Sequence, residues 1–99
     1  MASGSRKSIT GSFVSDGSSH DVRTPGFTPE RVELYTSAGV SGVWVDSMAP
    51  GSVHKRLANG TGSQAASNGI TPITNVGFTL GADAALNNSG DTVYWRAEE

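Results

Sequence analysis

The sequence holds two histidines, His20 and His54, and no cysteine. Acid–base chemistry near neutral pH therefore rests on these two imidazoles and on carboxylates. A Ser-His-Asp arrangement needs a histidine touching a nucleophile and oriented by a carboxylate. His20 and Asp21 are adjacent in an extended stretch, where neighbouring side chains point to opposite faces, so both histidines read as surface residues. Asp16, Asp83 and Asp91 stand beside glycines or in turn sequences, where Asp hydrogen-bonds its local backbone. Residues 83–91 supply Asp and Asn, which are calcium-type ligands. They lack the D-x-[DN]-x-[DN]-G spacing and the terminal Glu of a calcium loop. Gly60-Thr61-Gly62 lacks the lysine of a phosphate loop. The expectation is a non-enzyme with no catalytic residue, metal site or cofactor.

Aromatic and basic side chains remain. Tyr35, Trp44, Tyr94 and Trp95 can stack on sugar rings or on a partner. Residues 31–36 (RVELYT) set Val32 and Leu34 against Glu33 and Tyr35, and residues 42–46 (GVWVD) set Val43 and Val45 against Trp44. This register turns Tyr35 and Trp44 outward, as exposed aromatics of an interface. A slip of one residue puts both rings in the core instead. Residues 1–8 are small and polar, with Arg6 and Lys7 adjacent, and read as a flexible N-terminal arm that orders on a partner surface. Arg6, Lys7, Tyr35 and Trp44 are the candidate assembly interface.

The elements that must position these residues are short strands. Residues 9–14 alternate with period two and run into Asp16-Gly17, a hairpin signal that returns residues 20–23 as a second strand. Pro25-Gly26, residues 37–39, residues 49–51 and residues 87–90 are turns. Residues 53–57 read as a strand or a single helical turn. Residues 59–68 (NGTGSQAASN) read as a mobile polar loop. Residues 69–74, 76–80 and 92–97 complete the strands. Seven to eight short strands without a crossover helix predict an all-β fold, an antiparallel β-sandwich of jelly-roll or immunoglobulin-like type. Ile9, Phe13, Val32, Leu34, Val43, Val45, Ile70, Ile73, Phe78, Leu80, Val93 and Trp95 are expected to face inward. Ninety-nine residues suit one domain, 9–99, with one thin core. A thin core without a disulfide favours a homo-oligomer. A formal net charge of −2 argues against a nucleic-acid partner. The absence of a long apolar run or an apolar signal core argues against a membrane partner and for synthesis in a cytoplasm.

One order of pieces carries a resemblance. Gly11-Ser12-Phe13, the Asp16-Gly17 turn and Gly26-Phe27-Thr28-Pro29-Glu30-Arg31-Val32 open the chain. Gly69-Ile70, Gly77-Phe78-Thr79-Leu80-Gly81, Asn87-Asn88-Ser89-Gly90 and Thr92-Val93-Tyr94-Trp95-Arg96-Ala97 close it. Over residues 9–97 this resembles small β-domains of tailed-bacteriophage virion proteins. The resemblance implies a virion location after synthesis in the host cytoplasm, and a major capsid protein or other virion proteins as partners. It implies a head decoration or cement protein that stabilises the assembled shell, with a trimer as the favoured oligomer. The alternatives are a tail-fibre or tail-tip adhesin domain binding host glycans, and a stand-alone carbohydrate-binding module.

Overall fold

The computed structural model describes residues 7–99. Eight strands form, β1 (Ser8–Val14), β2 (His20–Val22), β3 (Arg31–Thr36), β4 (Ser41–Val45), β5 (Ser52–Arg56), β6 (Gly62–Ile73), β7 (Gly77–Leu80) and β8 (Thr92–Glu98). They make one antiparallel sheet in the order β1-β8-β3-β4-β5-β6-β7-β2. The fold is all-β, as the alternation predicts. One continuous, curled sheet stands in place of the two stacked sheets of the expected sandwich.

The curl follows from topology. β1 and β2 are the two ends of the sheet, yet residues 15–19 alone connect them. Seven inter-strand spacings of a flat sheet measure about 34 Å, while the six Cα steps from Val14 to His20 reach about 21 Å at full stretch. The sheet must therefore roll until its ends approach. Phe13 of β1 and His20 of β2 meet across the seam with ring centroids 4.0 Å apart and nearly parallel planes. The expected β1–β2 hairpin does not form. Gly17 does take the positive φ of a turn, but the turn carries the chain from one sheet end to the other, and β2 pairs with β7 instead.

Rolling gives the sheet an inside, filled by Val32, Leu34, Trp44, Val53, Ile70, Phe78, Leu80, Leu86, Val93 and Trp95. Trp95 meets Phe78 edge-on across this interior, at 5.7 Å between centroids. Two glycines make room for the larger groups: a Cβ at Gly11 would sit 2.5 Å from Trp95 Cζ2, and one at Gly42 2.9 Å from Leu86 Cδ1. The expected inward residues of β3, β7 and β8 are buried. Those of β4 are not. Trp44 stands opposite Val32 and therefore shares its inward face, leaving Val43 and Val45 on the outer side and half-buried.

Residues 59–68 also depart from expectation. Asn59-Gly60 tips a tight hairpin in which the Leu57 N–H donates to the Thr61 carbonyl at 2.9 Å. Residues from Gly62 onward pair with β5. Residues 66–69 bulge out between the pairs Val53–Ala65 and Ser52–Ile70, with Asn68 at positive φ. The bulge bends β6, which is how one strand serves two directions of a rolled sheet. Residues 53–57 resolve as strand, not helical turn.

A buried amide locks the seam. Asn87, in the β7–β8 connection, is 2% exposed. Its Oδ1 accepts from Ser15 Oγ, and its Nδ2 donates to the Ser18 carbonyl at 2.7 Å and the Gly81 carbonyl at 2.9 Å. Asp83, four residues earlier, accepts from Lys55 Nζ at 2.7 Å and from the backbone N–H groups of Ala85 and Leu86. Burial pushes the Asp83 carboxyl up, but the hydrogen bonds from Lys55, Leu86 and Ala85 outweigh it and hold it below its ordinary value of 3.8. A depressed carboxyl stabilises the fold above the unfolded value, and that contribution is lost as pH falls through the folded value.

Two outcomes follow. Asn87→Ala leaves the buried Ser15 hydroxyl and the part-buried Ser18 and Gly81 carbonyls without their partner, and should cost about 2–4 kcal/mol in urea unfolding. The urea midpoint should fall as pH drops below about 4, and by less in Lys55→Met, where the ion pair is already gone.

Candidate functional site

The outward side chains of β1, β8 and β3 line up in rows, because directly paired residues share a face. One row is Ser12, Tyr94 and Tyr35, and the next is Thr10, Arg96 and Glu33. Together they line a shallow groove of about 460 Å³ whose floor is the backbone of Gly11 and Trp95. Tyr35 and Tyr94 are directly opposite each other and each is 50% exposed. With Val14 they are the large hydrophobic side chains that stay exposed among the described residues.

Charges beside the rings are balanced. Arg31 pairs with Glu33 and, at 3.9 Å, with Glu98, while Arg96 pairs with Glu98 at 3.1 Å. The hydrogen bond from Arg31 to Glu33, then the Glu33 charge, raises the Arg31 guanidinium above its ordinary value. Arg96 Nε also donates to Ser8 Oγ at 3.2 Å. This lattice keeps the long side chains extended over the sheet and leaves the groove without net charge. The groove offers two ring faces, three kinds of hydroxyl, a guanidinium and a carboxylate. That set suits stacking and hydrogen bonding to a neutral polar ligand or a wet protein surface.

The four candidate interface residues fare differently. Tyr35 faces outward, as its register predicts, and lines the groove. Trp44, expected beside it, is 2% exposed in the core, with its indole N–H donating to the Ala49 carbonyl at 3.2 Å. Lys7 is exposed, and its carbonyl accepts from the Glu99 N–H at 2.9 Å, in line with β1. Arg6, with the rest of residues 1–6, lies outside the described residues. Tyr94 takes the place proposed for Trp44. Its signal was present in TVYWRA, where burying Val93 and Trp95 obliges Tyr94 to face out.

The histidines sit apart. His20 stacks on Phe13 at the seam, and His54 Nδ1 lies 3.2 Å from Gln64 Oε1 on the outer face of β5 and β6. In the 83–91 segment, the Asp83 carboxylate is engaged by Lys55 and two backbone N–H groups. Among the described residues no group of three His, Cys, Asp or Glu gathers as metal ligands would. Compared with protein-family models, with curated proteins and with solved structures, the chain matches none.

Side-chain truncation separates core from surface here. Trp44→Ala should cost about 3–5 kcal/mol in denaturant unfolding. Tyr35→Ala and Tyr94→Ala should each stay within about 1 kcal/mol of the parent, since half-exposed rings lose little burial. Similar losses at all three positions would mean that the Tyr rings are structural.

Proposed function

We propose that the chain is a non-catalytic binding domain of a tailed-bacteriophage particle, in the first reading a decoration or cement protein that attaches to the assembled head. The observation that carries it is the Tyr35–Tyr94 pair, half-exposed on a face that the fold does not need for its own core. Aromatic rings presented on rigid strands are the residues that dominate protein contacts, because they bring large area at low entropic cost. A cement protein must hold a shell by such a face. The sequence resemblance supplies the particle, and the groove supplies the means of attachment.

A second reading draws on the groove lining. Two rings on paired antiparallel strands, beside Ser12, Thr10, Glu33 and Arg96, match what a sugar presents, an apolar ring face edged with hydroxyls. That favours a tail-fibre or tail-tip adhesin domain, or a stand-alone carbohydrate-binding module.

One experiment addresses both. The chain and its Tyr35→Ala/Tyr94→Ala variant are titrated against phage heads stripped of the protein and against a panel of host-surface glycans. Loss of head binding by about 30-fold or more in the variant, with the circular dichroism spectrum unchanged, supports attachment through this face. Glycan binding lost in the same variant supports the second reading. Binding that survives both substitutions overturns the assignment of this face.

A further inference from the structure

The two ends of the sheet are unequally protected. β2 is three residues long and carries Asp21, paired with Arg23 just beyond the strand at 3.4 Å. Short length and charge are the usual defences of an edge. β1 has neither. It is seven residues long, SITGSFV, without charge or proline, and its register with β8 is unbroken. Among the described residues, no strand pairs with its other edge, which His20 of β2 approaches only at Phe13, ring against ring.

The hydrogen-bond phase of that edge can be read. Lys7 and Ser15, on either side of β1, bond toward the β8 side: the Glu99 N–H donates to the Lys7 carbonyl, the Ser15 N–H to the Asp91 carbonyl, and the Gly90 N–H to the Ser15 carbonyl. Residues of an antiparallel strand alternate in the edge they bond through. Ile9, Gly11 and Phe13 therefore bond β8, and Ser8, Thr10, Ser12 and Val14 turn their N–H and C=O groups to the open side.

We infer that this edge pairs with the same edge of a second copy, antiparallel about a two-fold axis at Gly11. That register places Ser8 opposite Val14 and Thr10 opposite Ser12, each taken twice. All four open N–H groups and all four carbonyls of each strand are then satisfied. A register shifted by two residues in either direction leaves some unpaired. The side chains agree with it. On the inner side Ile9 meets Phe13 of the second copy, an apolar cross-strand pair, and the two Gly11 residues face each other where the backbones come closest. On the outer side Thr10 meets Ser12, hydroxyl to hydroxyl, Ser8 meets Val14, and no like charges oppose. Val14, 68% exposed in the single chain, gains a neighbour.

The pairing also completes the groove. Its β1 rim is Thr10 and Ser12. Beyond that rim would stand Ser12 and Thr10 of the second copy, followed by its Tyr94 and Arg96. Two tyrosine pairs would then lie on one continuous outer face, related by the two-fold. This symmetry differs from the trimer that the resemblance implies.

The test uses the full chain. Sedimentation should show a dimer at about 100 μM. Ser12→Pro removes an N–H that faces the open edge, a place where a strand tolerates proline, and should weaken association by at least about tenfold with the circular dichroism spectrum unchanged. A second measurement does not depend on that variant folding. The chain has no cysteine of its own, so Thr10→Cys and Ser12→Cys each introduce a single thiol. Directly opposed residues lie about 5.5 Å apart, within disulfide reach, and diagonal ones about 7–8 Å, beyond it. Mixed Thr10→Cys and Ser12→Cys chains should cross-link under mild oxidation far faster than either alone. A native chain that stays monomeric at that concentration, or a mixture that cross-links no faster than its components, overturns the pairing.

Discussion

The five-residue connection between the two ends of the sheet is the constraint on which the rest of the structure depends. It is too short to cross a flat eight-stranded sheet, so it forces the roll, and the roll creates the interior. Without it the inward faces of β3, β4, β7 and β8 would have no opposing layer. With it, Trp95 reaches Phe78 from the other side of the sheet, and Leu86 from the β7–β8 connection packs on Gly42. The closure is not made by a β1–β2 ladder. Asn87 makes it, by tying Ser15, Ser18 and Gly81 through one buried amide. A buried polar group is costly unless its hydrogen bonds are met. Here they are met only when the seam is closed, so the same residue that penalises an open sheet stabilises the rolled one.

This explains which parts of the fold were legible in the sequence. Period-two alternation depends on local burial, and it located β1, β3 and β8 to within a residue or so. Pairing partners depend on long-range geometry that no local pattern encodes. Asp16-Gly17 is a sound turn signal, yet whether a turn closes a hairpin depends on what lies beside each strand. β8 and β7 compete for β1 and β2 and win, because each offers a ladder that the short β2 cannot give β1.

The outer face shows the same division. Tyr35 was readable because Val32 and Leu34 flank an unambiguous inward phase. Trp44 was misread because Val43 and Val45 outnumber it as apolar residues. The inward pair of β4 is Gly42 and Trp44, one very small and one very large, a combination that fills a curved interior but looks polar-neutral in a hydrophobic count. Its indole N–H finds the Ala49 carbonyl, which removes the usual objection to burying a Trp. Residues 59–68 hid a strand for a different reason. Gly, Ser, Gln and Ala are weak β formers, and their extended form is imposed by the ladder with β5 and by the bulge at 66–69.

The interior is occupied by the side chains of Val32, Leu34, Trp44, Phe78, Leu86 and Trp95. Larger barrels place binding sites inside, whereas narrow ones are filled by their own side chains. The surface of the described residues offers the outer face, the connections and the open edge. The connections at the seam are committed to Asn87 and to the Lys55–Asp83 pair. The outer face of β1, β8 and β3 is free of such duties, and its ion pairs hold it flat. The open edge of β1 borders that same face. Two features that a stable monomer would be expected to suppress, exposed paired aromatics and an unguarded edge, therefore lie side by side on one part of the surface. Their adjacency argues that recognition and self-association share a single region of the sheet.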